Sequence, residues 1–261
     1  MKSPAEIAKK YESVGESKAN APIGKTFLLA ILAGAFIALG GLGSQIGSLC
    51  SPDPSSARVI SSVIFPIGLF MVLVGGAELF TGNCLITIPV LSGKAKVSGM
   101  LKNWVVVYFG NMVGGFIIAA LAAFSHIYSF NGNVLATSVI NTAITKSTIS
   151  FSDALLRGIL CNVLVCMAVW CSFAADELAG KVLALWLPVM LFIVCGFEHC
   201  IANMYFIPAG MLASFVHGIP AEGLSLFNFF VTNLIPVTIG NIIGGGICVG
   251  AMYYAIYLKN K

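Results

Sequence analysis

Charge is what this chain has least of: 9% of its 261 residues are charged and 58% are hydrophobic, where a soluble domain carries charge on about a quarter of its residues. That scarcity excludes a water-facing surface over most of the molecule, and the solvent is lipid. There is no basic run of the kind that binds nucleic acid, so the net charge of +4 reads as a matter of membrane topology. A CxxC pair and a His-partnered metal spacing are both missing. The eight cysteines, Cys50, Cys84, Cys161, Cys166, Cys171, Cys195, Cys200 and Cys248, are therefore expected to be reduced, small core residues, with no metal and no cofactor. No nucleophile stands in sequence with a base in the manner of an enzyme site, and no enzyme is expected. A cleavable leader is also absent from the pattern: residues 1–25 are polar, and the apolar stretch that follows is too long for the core of a signal peptide.

What the chain does have is long charge-free apolar stretches, each able to cross a hydrocarbon core of about 30 Å as a helix. The expected spans are 26–49, 59–91, 103–124, 154–175, 182–216 and 234–258. The second and fifth exceed the roughly 20 residues needed to cross. Each holds Gly, Pro and a carboxylate near its middle, so both are expected to be broken helices. The organisation expected is an amphipathic N-terminal helix over 1–25, a six-span domain over 26–258 and a tail over 259–261. If the N-terminus is cytoplasmic, only Arg58, Lys146 and Arg157 of the 14 basic residues fall outside, which obeys the positive-inside bias and puts both termini in the cytoplasm.

Ser3-Pro4-Ala5-Glu6 reads as an N-cap, a Pro at the first helical position and the Glu of a capping box. In the helix that follows, Ile7, Tyr11 and Val14 share one face, while Lys9, Lys10 and Lys18 are available to lipid headgroups. Such a helix is either an interfacial anchor or a gate beneath a pore.

The segment Gly76-Ala77-Glu78-Leu79-Phe80-Thr81-Gly82-Asn83 has a counterpart in Gly196-Phe197-Glu198-His199-Cys200-Ile201-Ala202-Asn203, both reading GxExxxxN. Each is preceded by a Pro in its span, Pro66 or Pro188, and followed by Ile-Pro. Gly110-Asn111-Met112-Val113-Gly114-Gly115 likewise matches Gly240-Asn241-Ile242-Ile243-Gly244-Gly245. The chain is thus two halves of three spans, and an odd number of spans forces the halves into opposite orientations. Inverted repeats with interrupted helices put a solute path near the bilayer midplane. Half-helix N-termini there favour anions. The glycines, Gly34, Gly40, Gly41 and Gly43 among them, read as close-packing positions between helices.

His199 is the only histidine at mid-span, since His126 and His217 fall at span ends. Beside Glu198 in an expected helix break it is a candidate pore residue, able to present a donor or a cation to an anion. Thr81 in the matching break offers a hydroxyl. Asn203 is either a further donor or a cap for freed backbone, and Glu78 is expected to cap the first break through backbone N–H groups.

These segments, with Gly158-Ile159-Leu160-Cys161-Asn162-Val163-Leu164-Val165-Cys166-Met167-Ala168 and Asn233-Leu234-Ile235-Pro236-Val237-Thr238-Ile239-Gly240-Asn241, resemble those of the formate/nitrite transporter family over essentially the whole chain. The resemblance implies an all-α, aquaporin-like integral protein of the cytoplasmic (inner) membrane, a homopentamer with one pore per protomer. It implies small anions as substrates, in the class of hydrosulfide, formate and nitrite. Within the family the chain looks most like the hydrosulfide channels of bacteria. The resemblance sets Thr81 opposite His199, aligns Leu69, Leu79 and Phe192 with pore constrictions to which Phe65 adds, and pairs Lys146 with Glu198. That pairing accords with physics, because a lone carboxylate at membrane depth is protonated or absent. A water or glycerol channel has Asn-Pro-Ala at its two breaks, and this chain has Asn83-Cys84-Leu85 and Asn203-Met204-Tyr205. The same residues also suit proton-coupled symport of a weak-acid anion, which is the rival to a channel.

Overall fold

The computed structural model describes residues 1–259; Asn260 and Lys261, which complete the expected tail, lie outside the described residues. Among the described residues every long element is helical. In chain order they are α1 (Pro4–Asn20), α2 (Ile23–Ser48), α3 (Pro54–Gly75), α4 (Phe80–Leu91), α5 (Val97–Phe124), α6 (Val134–Ser147), α7 (Phe151–Ser172), α8 (Leu178–Cys195), α9 (Cys200–His217) and α10 (Asn228–Tyr257). Among the described residues seven helices are long and apolar enough to cross a membrane, where six spans were expected. The extra one arises because the broken fifth span divides into α8 and α9, each of 18 residues. The six-span plan stands, with α3 and α4 as the pieces of the second span.

Local chemistry sets the helix starts. Ser3 accepts the Glu6 N–H while Glu6 accepts the Ser3 N–H at 2.7 Å, closing the capping box of α1. Asp53 accepts the N–H groups of Ser55 and Ser56 ahead of Pro54, and Ser150 caps α7 through Asp153 N–H at 3.1 Å. The ends at the breaks are set by Gly76 (φ 78°) and Gly196 (φ 69°), both left-handed, a conformation that costs an L side chain strain.

Two crossings repeat in inverted form. Gly114 of α5 lies against the Ile31 carbonyl of α2, and Gly244 of α10 lies against the Ile159 carbonyl of α7; a Cβ at either would overlap the facing backbone. The last span departs from regular α geometry, with wide π-turns over 228–234 and 243–251. Nothing in its apolar pattern signals this. Of the cysteines expected in the core, Cys84, Cys161, Cys166 and Cys200 are buried, but Cys50, Cys195 and Cys248 are exposed.

The two helices that do not cross, α1 and α6, precede the first span of each half and pack on opposite ends of the bundle. α1 does not merely rest at an interface. Ile7, Ala8 and Tyr11 are buried in the same core as the spans, and Tyr11 donates to the Gly82 carbonyl at 3.2 Å. Burial pushes the Tyr11 phenol well above its usual range, which keeps it a neutral donor.

Candidate functional site

The two helix breaks share one bonding scheme, built by asparagines from the third span of each half. Asn111 accepts the Phe80 N–H at 3.0 Å and donates to the carbonyls of Ala30 (2.7 Å) and Glu78 (2.9 Å). Asn241 accepts the Cys200 N–H at 3.0 Å and donates to the carbonyls of Gly158 (2.7 Å) and Glu198 (3.0 Å). A broken helix in lipid must have its freed groups paired inside the protein. One amide per break supplies an acceptor and two donors. Their backbone N–H groups also reach the neighbouring first span, Glu78 to Leu29 O and Glu198 to Arg157 O.

Each break then carries an ion pair. Lys146 donates to Glu198 at 2.9 Å, and Lys18 donates to Glu78 at 2.7 Å. Asn203 donates to Glu198 (2.7 Å) and Asn233 (2.8 Å), as Asn83 donates to Glu78 (2.7 Å) and Asn103 (2.9 Å). Asn233 and Asn103 close the rings by donating to the carbonyls of Lys146 and Lys18. Two expectations are corrected here. Glu78 does not cap the break through backbone N–H groups, because its carboxylate is taken by Lys18 and Asn83. Lys18 does not face headgroups, because the burial of α1 carries its ammonium inward to Glu78. Asn203 is oriented by its neighbours through its nitrogen, while its Oδ1 is buried without a hydrogen-bond partner.

Between the breaks stand Thr81 and His199, both buried. His199 caps α9 by accepting the Ala202 N–H at Nδ1 (3.0 Å), and its Nε2 lies 2.9 Å from Thr81 Oγ1. The carbonyl of Thr81 is held by Asn162 (3.2 Å) and Cys166 (3.3 Å). Asn162 also donates to the Asn241 carbonyl at 2.6 Å within the second half, so its amide ties Thr81 of the first half to the second.

Apolar side chains flank this pair. Phe192 stacks on the His199 ring at 6.0 Å between centroids, and Phe65 meets Phe192 edge-on at 5.7 Å and stacks with Phe206 at 6.4 Å. Beyond these rings opens a cavity of about 390 Å³, lined by Phe65, Phe206, Lys146, Glu198 and Arg58, and a larger one of about 700 Å³ that adds Arg157. On the other side Leu69 and Leu79 line a cavity of only about 50 Å³, closed by Tyr11, Lys18 and Phe173. Leu79 holds in the first half the place His199 holds in the second.

Sequence reasoning left out Lys18, Tyr11, Asn103, Asn111, Asn233 and Asn241 as members of this assembly. For Asn111 and Asn241 the signal was present, since the Gly-Asn-x-x-Gly-Gly repeat carries a polar residue through an apolar span twice. For Lys18 the symmetry was the signal: once Glu198 is given a lysine from the helix preceding its half, Glu78 demands one too.

A family model described as formate/nitrite transporter matches residues 5–255. The chain is 39% identical over 272 residues to the formate channel FocA of Escherichia coli strain K12, covering 99% of this chain and 95% of that one. A solved pentameric formate channel with formate bound superposes with a TM-score of 0.83 at 37% identity, over 91% of this chain and 98% of its own. An aquaglyceroporin from Plasmodium falciparum, at 18% identity and a TM-score of 0.51 over 92% of this chain and 97% of its own, shares the fold.

Proposed function

Because the chain belongs to the formate/nitrite transporter family, we propose that its anion pathway runs from the Lys146 cavity to the Lys18 cavity through Thr81 and His199, in a homopentamer of the cytoplasmic membrane. Both termini then face the cytoplasm. Hydrosulfide, formate and nitrite are the solutes, with hydrosulfide first on the sequence resemblance and formate beside it on the names of the relatives. The observation that carries the reading is a hydroxyl–imidazole pair, at the junction of two broken helices, with an apolar ring on each side of it.

The physics of passage follows from that order. Arg58, Arg157 and Lys146 raise the local concentration of anions in the outer cavity. At Phe65, Phe192 and Phe206 an anion leaves its water, and complete stripping costs on the order of 20 kcal/mol in the Born limit. Thr81 and His199 offset part of that cost with hydrogen bonds, and a weak-acid anion can also shed its charge there by taking a proton. Leu69 and Leu79 repeat the dry barrier before Lys18. Cations meet lysines at both ends and no carboxylate that is not already paired.

The test is flux through purified protein in liposomes, with hydrosulfide, formate, nitrite and chloride compared and proton movement recorded at the same time. Anion current that reverses at the anion's own equilibrium potential supports a channel. A fixed ratio of protons to anions at every voltage replaces it with symport. No flux of any of these anions sinks the proposal.

A further inference from the structure

A further cavity, of about 680 Å³, lies away from these at the α1 end of the bundle, lined by Lys9 and Glu12 of α1, Ser92 and Lys94 of the α4–α5 turn, and Tyr254, Leu258 and Lys259 at the end of α10. Three ammonium groups from three separate segments converge on it. Its one carboxylate, Glu12, is engaged by Lys94 at 2.5 Å. The hydroxyl of Tyr254 adds a donor, while that of Ser92 donates to the Pro89 carbonyl at 3.3 Å. Lys94 is brought round by Gly93, whose φ of 74° turns the chain so that the Lys94 N–H reaches the Pro89 carbonyl at 2.9 Å.

The surroundings identify the depth. Met252 and Ile256 of α10 are exposed apolar side chains on the surface of the protomer. Trp170 and Tyr253 stand 4.2 Å apart by ring centroids, and Tyr257 stacks on Tyr253 at 5.7 Å. An aromatic cluster at the end of an apolar helix, followed at once by a lysine, marks the boundary between hydrocarbon and water. A cationic cavity at that level meets the phosphates of lipid headgroups.

The geometry points to this cavity as a binding site for the phosphate of an anionic phospholipid, of which phosphatidylglycerol is the simplest form, with the acyl chains lying along α10. Lys25 and Lys102 are on the same side of the molecule and do not line the cavity, so ordinary surface charge is distinguishable from the site. A bound phosphate would bridge α1, the α4–α5 turn and α10. The inference rests on the membrane placement above and is independent of which anion the pore passes.

Native mass spectrometry of the intact oligomer in detergent tests it, with phosphatidylglycerol and phosphatidylcholine titrated separately. The wild-type protein should retain phosphatidylglycerol several-fold better. Lys9→Gln/Lys259→Gln should abolish that preference, while Lys25→Gln/Lys102→Gln should keep it. Should the first double variant not assemble, Lys259→Gln alone, exposed near the chain end, should still lower it. Equal retention of both lipids, or a preference unaltered in Lys259→Gln, overturns the site. Displacement of phosphatidylglycerol by millimolar inorganic phosphate assigns the cavity to a soluble phosphate instead and overturns the lipid.

Discussion

Thr81 Oγ1 and His199 Nε2 lie 2.9 Å apart across the junction of the two halves, and the other imidazole nitrogen is already an acceptor for the Ala202 N–H. In the neutral ring the proton therefore sits on Nε2 and is donated to Thr81. The Thr81 hydroxyl hydrogen is then free for a passing anion. Nitrogen NMR of labelled His199 should show the Nε2–H tautomer, and an Nδ1–H signal would contradict the assignment.

Thr81→Val removes that hydroxyl with little change of shape. Anion flux should fall by about tenfold, corresponding to the roughly 1.5 kcal/mol or more of a hydrogen bond to a charged group. His199→Ala should change selectivity or the pH response of flux while the oligomer still assembles. Flux unchanged in Thr81→Val would take that residue out of the pathway.

The ion pair of Lys146 and Glu198 is largely buried, with 17% and 7% of the side chains exposed. Breaking it from either side should cost about 3–5 kcal/mol, and removing both charges should cost much less. Lys146→Met with Glu198→Gln should thus melt higher than either single variant. Additive losses in that double-mutant cycle would show two independent charges. Lys146→Glu should impair transport more than Lys146→Met, and Lys18→Glu should act in the same direction beside Glu78.

Asn241→Asp keeps the size of the amide and the acceptor for the Cys200 N–H but turns both donors into acceptors facing carbonyls. Each orphaned buried carbonyl costs about 1–3 kcal/mol, so the oligomer should be strongly destabilised. Asn111→Asp should behave alike, and detergent melting curves would reveal a difference if only one break depends on its asparagine.

Acidification should release α1 only at low pH. Ser3 holds the Glu6 carboxyl below its usual range through its hydroxyl and N–H, and the Lys2 ammonium does the same for Asp176, on the loop before α8. A depressed folded pKa gives stability that is complete above the unfolded value, about 4. It is lost as the pH falls through the folded value. Hydrogen exchange of α1, corrected for intrinsic rate, should stay flat from about pH 8 to 5 and rise below about 4. A rise near pH 6.5 would mean that a histidine controls docking.

The six spans, the two breaks and the inverted repeat were legible because each has a sequence signature: apolar length, Gly with Pro in an overlong span, and the doubled GxExxxxN. The ring order was accessible only through family resemblance, since Leu69 and Phe192 look like any core residues. The π-turns of α10 were not legible, because wide and regular turns share one apolar period over so short a stretch. Lys18 was misread for a different reason. An amphipathic helix shows which face is apolar but not what lies beneath it, and a lysine at its edge suits a headgroup or a buried carboxylate equally.

Asn162 holds Thr81 of the first half with the same amide nitrogen that holds Asn241 of the second. A hinge needs a plane across which bonds are few, and here the plane between the halves is crossed at its centre by a stitch that also fixes Thr81. Swinging one half past the other would pull the Thr81 carbonyl from its donor. Any rearrangement along the proposed pathway must therefore either keep Asn162 on Thr81 or break that bond first.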